Sequence, residues 1–469
     1  MLFPTIEFGL FFAFVFPVAW GLQTYAGARK WFLVIASYCF YGFWDWRFTL
    51  LLLQCSLMNY AFGLWLERSE HRRLRITGTA VALNLATLGF FKYYGFFIES
   101  LNSVLVAAGL QRELPLLEIV LPVGISFFTF QGMSYVIDIY RRAIPASKRP
   151  VDVLLYISFF PQLVAGPIVR AKDFLEQLNT PATHRKLPSA FAFKLIIIGL
   201  FKKVVIANYL STLLVDEIFQ DPSRFSALDV LFGVYGYAIQ IYCDFSAYTD
   251  IAIGVAALLG YRFAQNFNSP YTATSLQNFW RRWHISLSTW LRDYLYISLG
   301  GSRGGKLKTY RNLFLTMFLG GLWHGAAWNF VIWGTLHGAA LGVERMMVQL
   351  WGRFYSPNLL FRLIQMTLVF HFVCLTWIFF RAQNLDLALE LLGALMNQST
   401  TIERLTPFTL ALILIGLLGQ FVPARWHTWA ENALARLPVV IQGGILALAL
   451  LLLGSLAPEG VAPFIYFQF

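Results

Sequence analysis

The chain is poor in charged residues. Only 13% of its 469 residues are Asp, Glu, Lys or Arg, whereas 58% are hydrophobic. Ordinary soluble domains carry about 25% charged residues, so this composition excludes a soluble globular protein. Apolar runs long enough to cross a bilayer recur along the whole length. The sequence therefore predicts an all-α polytopic integral membrane protein that forms a single transmembrane domain over residues 1–469.

Cysteine is scarce, and several functional signatures are missing. The four cysteines are Cys39, Cys55, Cys243 and Cys374. They lie in apolar stretches without metal-like spacing, which favours small core residues over disulfides or a zinc site. The sequence has no phosphate-cradling glycine loop of the nucleotide-hydrolase type and no strict internal repeat, so ATP-driven transport and a transporter of duplicated halves are disfavoured. We expect no metal and no permanently bound cofactor.

The apolar runs predict about eleven or twelve transmembrane helices. The candidate spans are residues 7–24, 31–44, 48–66, 76–98, 119–139, 190–214, 227–259, 312–330, 331–351, 362–381, 406–422 and 438–457. No basic region precedes the first run, which argues against a cleaved signal peptide and predicts both termini outside. Basic residues at 29–30, 68–75 and 141–149 alternate as the positive-inside rule requires. The aromatic run Phe464–Phe469 could anchor at a membrane interface.

Two apolar regions contain residues that a lipid-facing helix would not carry. Residues 153–170 contain the helix breakers Pro161, Gly166 and Pro167. Such breakers predict a broken or re-entrant helix that is buried in protein. Residues 227–259 contain Asp244 and Asp250. These carboxylates are expected to face inward, where they either line a polar cavity or pair with a basic residue.

Residues 261–311 carry eight basic residues against a single acid, which is a large part of the net charge of +12. The positive-inside rule predicts a basic cytoplasmic re-entrant segment. One interpretation is a solvated loop that binds anionic lipid, and the other is an entrance for an anionic, phosphate-bearing donor. A helix over Gln277–Ile297 would place Trp280, His284 and Ser288 on one face.

His324 is the most informative single residue. It lies in the stretch Gly320–Trp328, and the surrounding Thr316–Trp333 contains no Asp, Glu, Lys or Arg. An ionisable side chain at membrane depth is costly and is by default a functional candidate. Imidazole also accepts and returns protons near neutral pH. The alternative is a buried histidine hydrogen-bonded across helices, which the neighbouring small residues also favour.

Six stretches, in a fixed order, resemble the membrane-bound O-acyltransferase superfamily. They are Pro122–Gln131, Phe160–Ile168, Asp244–Asp250, Asn266–Tyr271, Phe279–Ser288 and Gly320–Gly325. Within the superfamily the chain is most similar to the membrane proteins of alginate O-acetylation, and more distantly to teichoic-acid D-alanyl transfer proteins. One departure is Ala247, where the family usually has Gly.

The resemblance implies a fold of transmembrane helices with re-entrant or horizontal helices around a central channel, and a catalytic core over residues 119–351. It implies that His324 is catalytic. The second family position, an Asn or His, falls on His284, for which we expect a catalytic or donor-orienting role, with a structural role as the alternative. The expected donor-binding residues are Arg281, Arg282, Trp283, Lys306 and Lys308. The expected channel-lining residues are Asp244, Trp323, Trp328 and Asn329.

The function that the resemblance implies is acetyl transfer. The donor would be cytoplasmic acetyl-CoA and the acceptor an exopolysaccharide, reached across a bacterial inner membrane through a periplasmic partner with a serine-hydrolase-like site. Both termini would then lie in the periplasm. Two alternatives stay open: transfer of D-alanine or another acyl group to a cell-envelope polymer, and a non-enzymatic channel, lipid transporter or scaffold.

Overall fold

A computed structural model gives the fold and describes residues 1, 3–110, 114–180, 187–352, 358–397, 401–457 and 464–465. Within these residues the regular secondary structure is helical, without a β-strand, which confirms the predicted all-α class. The chain forms two compact units. The first contains Met1–Pro188 and Val255–Phe263, and the second contains Ser189–Gly254 and Ala264–Phe469.

The first unit is built from eight helices within its described residues. In chain order they are α1 Ile6–Gly21, α2 Ala26–Gly42, α3 Arg47–Arg68, α4 Arg73–Ala107, α5 Ile125–Tyr140, α6 Pro150–Ser158, α7 Phe160–Leu163 and α8 Ala171–Asn179. Helix α3 packs against α4, α5 and α6. Asn59 on α3 and Asn84 on α4 exchange side-chain hydrogen bonds of 3.1 and 3.0 Å. This pair satisfies two buried amides and fixes how the two helices pack.

Tight backbone approaches set two boundaries in the first unit. The predicted span 119–139 becomes helical only at Ile125, because Gly124 has φ +76° and lies where a Cβ would be 2.5 Å from the Leu163 carbonyl oxygen. The predicted break in residues 153–170 is confirmed, since α6 and α7 are interrupted at Phe159 and no helix follows until α8.

The cysteine interpretation was wrong for one residue. Cys55, Cys243 and Cys374 are buried, as expected, but Cys39 on α2 is exposed. A thiol that faces outward on an apolar helix is compatible with lipid contact, which the sequence pattern alone did not separate from core packing.

The second unit begins with one nearly continuous helical stretch. It contains α9 Ser189–Phe201, a π-helical turn at Lys202–Ala207, α10 Asn208–Leu210, a second π-helical turn at Ser211–Val215 and α11 Asp216–Gln220. This stretch confirms the helical part of the predicted span 190–214. Helix α12, Ala227–Leu258, follows, and its residues through Gly254 belong to this unit.

The remaining helices of the second unit are α13 Leu276–Trp280, α14 Ile285–Trp290, α15 Lys306–His324, α16 Trp328–Trp351, α17 Leu359–Arg381, α18 Leu385–Ala394, α19 Pro407–Leu418, α20 Ala424–Ala435 and α21 Val439–Ser455. The predicted boundary between the spans 312–330 and 331–351 was wrong by several residues. Helix α15 ends at His324 because Gly325 is extended, and the Phe330 ring occupies the space where a Cβ of Gly325 would lie.

Glycines allow α15 and α16 to pack closely. A Cβ at Gly334 would lie 2.6 Å from the Met317 carbonyl oxygen and 3.1 Å from Cα of Gly321. Small residues at such positions let two backbones approach, as is common between helices in membranes. This contact holds His324 at the end of a rigid helical hairpin.

Four described helices are long and apolar enough to cross a membrane, namely α3, α4, α12 and α17. A fifth candidate is the bent pair Pro407–Phe421 and Ala424–Ala435, whose parts meet at 90°. The prediction of a polytopic membrane protein is confirmed. The figure of eleven or twelve spans stays a prediction.

Candidate active site

The segment around His284 is a turn between two short helices. The predicted continuous helix over Gln277–Ile297 was wrong, because α13 ends at Trp280 and α14 begins at Ile285. His284 lies between them with φ 41° and ψ 57°, the left-handed region that non-glycine residues seldom occupy. Trp280, His284 and Ser288 therefore do not share one helical face.

Residue Asn266 holds this turn. Its backbone oxygen accepts a hydrogen bond from the Ile285 N–H at 2.9 Å, and its side-chain oxygen accepts one from the Ser286 N–H at 3.0 Å. The Asn268 N–H donates to the Arg282 oxygen at 2.9 Å. These contacts replace the intrahelical bonds that a continuous helix would make, so the strained backbone of His284 is fixed by a segment distant in sequence.

A carboxylate supports the beginning of the same segment. Glu344 on α16 accepts the N–H groups of Leu276 at 2.6 Å and Gln277 at 3.1 Å. These are donors at the start of α13 that have no partner within the helix. Farther along, the Trp280 indole N–H donates to Nδ1 of His337, also on α16, at 3.4 Å. Helix α13 is thereby attached to α16 at both of its ends.

His284 is fully buried among aromatic rings. The Phe245 ring lies 4.6 Å away, edge to face, and the Phe267 ring 6.3 Å away. Nδ1 of His284 lies 3.3 Å from Oδ1 of Asn266, which assigns the proton to Nδ1 because the amide oxygen only accepts. His284 is outside the predicted spans, and burial lowers its pKa to about 3, so the ring is neutral.

His324 ends α15 and has 5% of its surface accessible. Its ring lies 5.0 Å from Trp323, 5.1 Å from Trp333 and 5.1 Å from Phe380, each at a steep angle. Aromatic walls of this kind lower the local dielectric around the ring.

Trp323 links the two histidines. Its ring lies 5.0 Å from His324 and 6.3 Å from His284. Two imidazoles that are forty positions apart in the sequence thus lie on the same indole. The structure brings together His284, His324 and Trp323, three of the residues that the sequence singled out.

Two other expected channel residues stand at the beginning of α16, and they differ in burial. Asn329 is 1% exposed, donates from Nδ2 to the Ala382 oxygen at 2.8 Å, and has an Oδ1 that accepts no hydrogen bond from the described residues. Trp328, in contrast, is 58% exposed. Asn329 offers a buried polar atom close to the hairpin turn, whereas Trp328 faces outward.

Asp244 and Asp250 are both paired with lysine, which resolves the two alternatives left by the sequence. Asp244 lies 2.6 Å from Nζ of Lys203, and Asp250 lies 2.8 Å from Nζ of Lys202. Consecutive lysines can reach both carboxylates on α12 because they lie in the π-helical turn that follows α9.

The five expected donor-binding residues form two groups. Trp283 is buried, and Arg282 is half-buried and donates to Oδ1 of Asn278 at 3.0 Å and to the Asn268 oxygen at 3.3 Å, so both serve the His284 turn. Arg281, in the same turn, is exposed.

Lys306 and Lys308 form the second group. Both are exposed in the first turn of α15, and they form no ion pair within the part of the chain that the structure describes. A helix of 19 residues, at about 1.5 Å per residue, puts Lys306 about 27 Å from His324 along the axis.

Sequence reasoning missed the aromatic neighbours of the two histidines, among which His337 also lies. His337 is fully buried, 4.8 Å from the Trp333 ring, and its Nε2 lies 3.0 Å from the Thr376 hydroxyl. With Nδ1 accepting from Trp280, both ring nitrogens have protein partners. A signal was present for Phe245 and Asn266, which lie in two of the stretches that carried the resemblance. Trp333 and Phe380 are indistinguishable from ordinary apolar residues of a span.

Among the described residues, no group of three or more His, Cys, Asp or Glu side chains is placed to hold a metal ion. The site consists of the imidazoles of His284 and His324 and the indole of Trp323. Such groups can move a proton and donate hydrogen bonds to a carbonyl oxygen.

Comparison with known proteins assigns this site to a family. A family model described as the membrane-bound O-acyltransferase family matches residues 38–383, a range that contains all eleven expected site residues. The chain is 43% identical to a probable alginate O-acetylase of Pseudomonas aeruginosa over 83% of this chain and 74% of the relative. It is 38% identical to the corresponding Pseudomonas putida protein over 98% of this chain and 99% of the relative.

A peptidoglycan O-acetyltransferase of Helicobacter pylori is 38% identical over 80% of this chain and 76% of the relative. The family match covers well over half of the chain and includes parts of both compact units. The non-enzymatic alternative is therefore rejected. The chain belongs to the membrane-bound O-acyltransferase family and is a membrane O-acyltransferase.

Proposed function

We propose that this acyltransferase takes an acetyl group from cytoplasmic acetyl-CoA and passes it across a bacterial inner membrane for O-acetylation of an alginate-like polysaccharide. The observation that carries the proposal is the pair of buried imidazoles, His284 and His324, that both neighbour the Trp323 ring. Relatives named for alginate O-acetylation, one of them matched over 98% of this chain, supply the choice of acyl group and polymer.

The proposed chemistry starts with His324 as general base. A neutral imidazole takes the proton of the attacking hydroxyl as its oxygen bonds to the thioester carbonyl carbon. The C–S bond then breaks, and the proton returns to the departing thiolate of CoA. The attacking hydroxyl belongs either to the polymer or to a carrier that passes the acetyl group on to the polymer.

Negative charge on the carbonyl oxygen needs a hydrogen-bond donor in the site. His284 has a different role: its ring is held by the contact between Nδ1 and Asn266, and it orients the acyl donor. The Nδ2 of the buried Asn329 amide has two N–H donors: one donates to the Ala382 oxygen at 2.8 Å, and the second is proposed to donate to the oxyanion.

Basic residues support donor binding from the cytoplasmic side. The first turn of α15 combines two lysines with the positive end of the helix dipole, which favours phosphate groups. The helix covers about 27 Å, close to the ~30 Å hydrocarbon thickness of a bilayer. Phosphates held near Lys306 and an acceptor that reaches His324 would therefore approach from opposite faces.

The acceptor side requires a partner. A periplasmic protein with a serine-hydrolase-like site is proposed to receive the acetyl group and transfer it to the sugar hydroxyls of a polysaccharide outside the membrane. We propose that both termini lie in the periplasm.

The direct test is release of CoA from acetyl-CoA by the purified full-length chain in lipid nanodiscs, with and without periplasmic extract from a polysaccharide-acetylating strain. We expect release that His324→Ala abolishes and that His371→Ala leaves intact, since His371 is exposed and bonded to Tyr235. A D-alanyl carrier protein is offered in parallel. Use of that donor in place of acetyl-CoA, or activity retained in folded His324→Ala protein, would refute the proposal.

A further inference from the structure

A short segment near the end of the sequence lies inside the second unit. Phe464 and Ile465 are 2% and 1% exposed, so the interface anchor expected for this aromatic run was wrong for these two residues. Residues 466–469 of the run lie outside the described part of the chain. An apolar pair buried this deeply contributes to the interior of the unit and does not face lipid.

A charged group fixes the backbone of this segment. The N–H of Ile465 donates to Oδ2 of Asp244 at 2.8 Å, and the other oxygen of the same carboxylate lies 2.6 Å from Nζ of Lys203. All three groups are buried. Hydrogen bonds to a carboxylate are stronger than neutral ones, and a buried N–H without a partner is costly, so this contact specifies where the segment sits.

Aromatic packing connects the segment to the active site. The Phe464 ring lies 4.8 Å from Tyr248 and 5.8 Å from Phe245. Phe245 is fully buried, and its ring is the one that meets His284 edge to face at 4.6 Å. Phe245 thus has Phe464 and His284 as neighbours, and both contacts depend on where its ring sits.

We infer that Phe464–Ile465 is a positioning element for the reaction: tied to Asp244, it holds Phe245 against His284 and so keeps the imidazole in place on Trp323. The inference rests on the proposed role of His284 in catalysis. The segment touches no reacting atom. It acts through Phe245 by limiting the motion of the His284 imidazole, and the backbone of His284 is already in an unfavourable, left-handed conformation. Displacement of a catalytic group by about 1 Å can reduce a rate on the order of a hundredfold.

The chain offers matched variants for a test. Ile465→Pro removes the N–H that Asp244 accepts, whereas Ile465→Ala keeps the N–H and removes only side-chain atoms. Phe464→Ala removes the ring. Asp250→Asn is the control for a change on α12 that leaves the Asp244–Ile465 contact intact, because Asp250 pairs with Lys202.

The kinetic test uses the full chain in nanodiscs with acetyl-CoA. We expect Phe464→Ala and Ile465→Pro to lower kcat about tenfold or more with little change in KM, and Ile465→Ala and Asp250→Asn to stay near the unmodified chain. In a His284→Ala background, Phe464→Ala should have no further effect on kcat. An equal loss in both backgrounds, or full activity of Phe464→Ala, would overturn the inference.

A second measurement does not depend on activity. In protein labelled at histidine, the His284 ring resonances, identified by their loss in His284→Ala, should shift in Phe464→Ala and stay fixed in Trp429→Ala, an exposed aromatic of α20. Unchanged His284 resonances in Phe464→Ala would contradict the inference. If the unmodified chain releases no CoA, the proposed function fails, while this spectrum still decides whether the segment positions His284.

Discussion

The two compact units use their buried polar residues differently. In the first unit, the Asn59–Asn84 amide pair joins helices, and so does the Lys30–Asp152 ion pair with its 2.7 Å contact. His71, in the described part of this unit, is exposed. Groups of this kind are satisfied by one another, and their role is to specify packing.

The second unit buries three imidazoles among aromatic rings. His284, His324 and His337 are all at most 5% exposed and lie in one system of stacked and edge-on rings. Buried polar side chains alone therefore do not identify an active site. Substitutions in the first unit should change stability, and substitutions around Trp323 should change the rate of the reaction in a folded protein.

The largest expected effect is on His324. His324→Ala should reduce CoA release on the order of 10² to 10⁴, the usual contribution of a general base, while the melting temperature changes little. The double variant His284→Ala/His324→Ala should be no slower than His324→Ala alone, because residues that act as a unit are not additive. Steady-state kinetics of the four proteins measures this, and independent, multiplying losses would break the proposed link through Trp323.

In the first unit, a substitution should lower stability and leave the rate of the reaction unchanged. Lys30→Met leaves the Asp152 carboxylate buried without its cation, which costs about 3–5 kcal/mol. We expect a lower melting temperature and unchanged CoA release per folded molecule. Lys30→Met/Asp152→Asn should recover much of the stability. A fall in the specific activity of the folded Lys30→Met protein would show that the division between the units is wrong.

A smaller effect separates two substitutions of His284. Asn tolerates the left-handed backbone at this position and keeps a hydrogen-bonding side chain, whereas Ala does neither well. His284→Asn should retain activity within about tenfold of the unmodified chain, and His284→Ala should lose on the order of a hundredfold.

The pH profile sharpens the same prediction. Burial lowers the pKa of His284 to about 3, so the ring is neutral across the range from about pH 5 to 9. His284→Asn should therefore leave the shape of the kcat/KM profile between about pH 5 and 9 unchanged. A lost inflection in that range would mean that His284 titrates during catalysis.

The smallest expected effect concerns the donor. Replacement of Lys306 and Lys308 by Ala should raise KM for acetyl-CoA several-fold, with a weaker effect at high salt, because exposed charges are screened. The rate at saturating donor should not change. Measurement of KM at two salt concentrations checks this, and an equal loss for acetyl-pantetheine, which lacks the nucleotide phosphates, would contradict it.

Local patterns predicted the helical membrane class well, because long apolar runs are sufficient to predict spans. His324 was also visible, since an ionisable residue in an uncharged run is conspicuous. Helix ends were harder to predict. The start of α5 depends on contact between Gly124 and the Leu163 backbone, and the turn at His284 depends on Asn266. Both are tertiary contacts that no local window contains.

The sequence also did not reveal which residues pair with each other. Asp244 was expected to face inward, but its pairing with Lys203 depends on a π-helical turn, and its bond to Ile465 joins residues 221 positions apart. The aromatic neighbours of His324 carry no pattern distinct from other apolar residues, so packing alone identifies Trp333 and Phe380.

The central claim is that His324 meets the acyl group. An experimental density map of the full-length chain with a non-hydrolysable acetyl-CoA analogue tests it most directly. The account predicts the carbonyl carbon of the analogue beside the His324 ring, within about 3–3.5 Å of an acceptor atom that the ring can deprotonate, and the phosphates near the first turn of α15. Density for the acyl group elsewhere, with the His324 ring enclosed by packed side chains and no passage to it, would contradict the account.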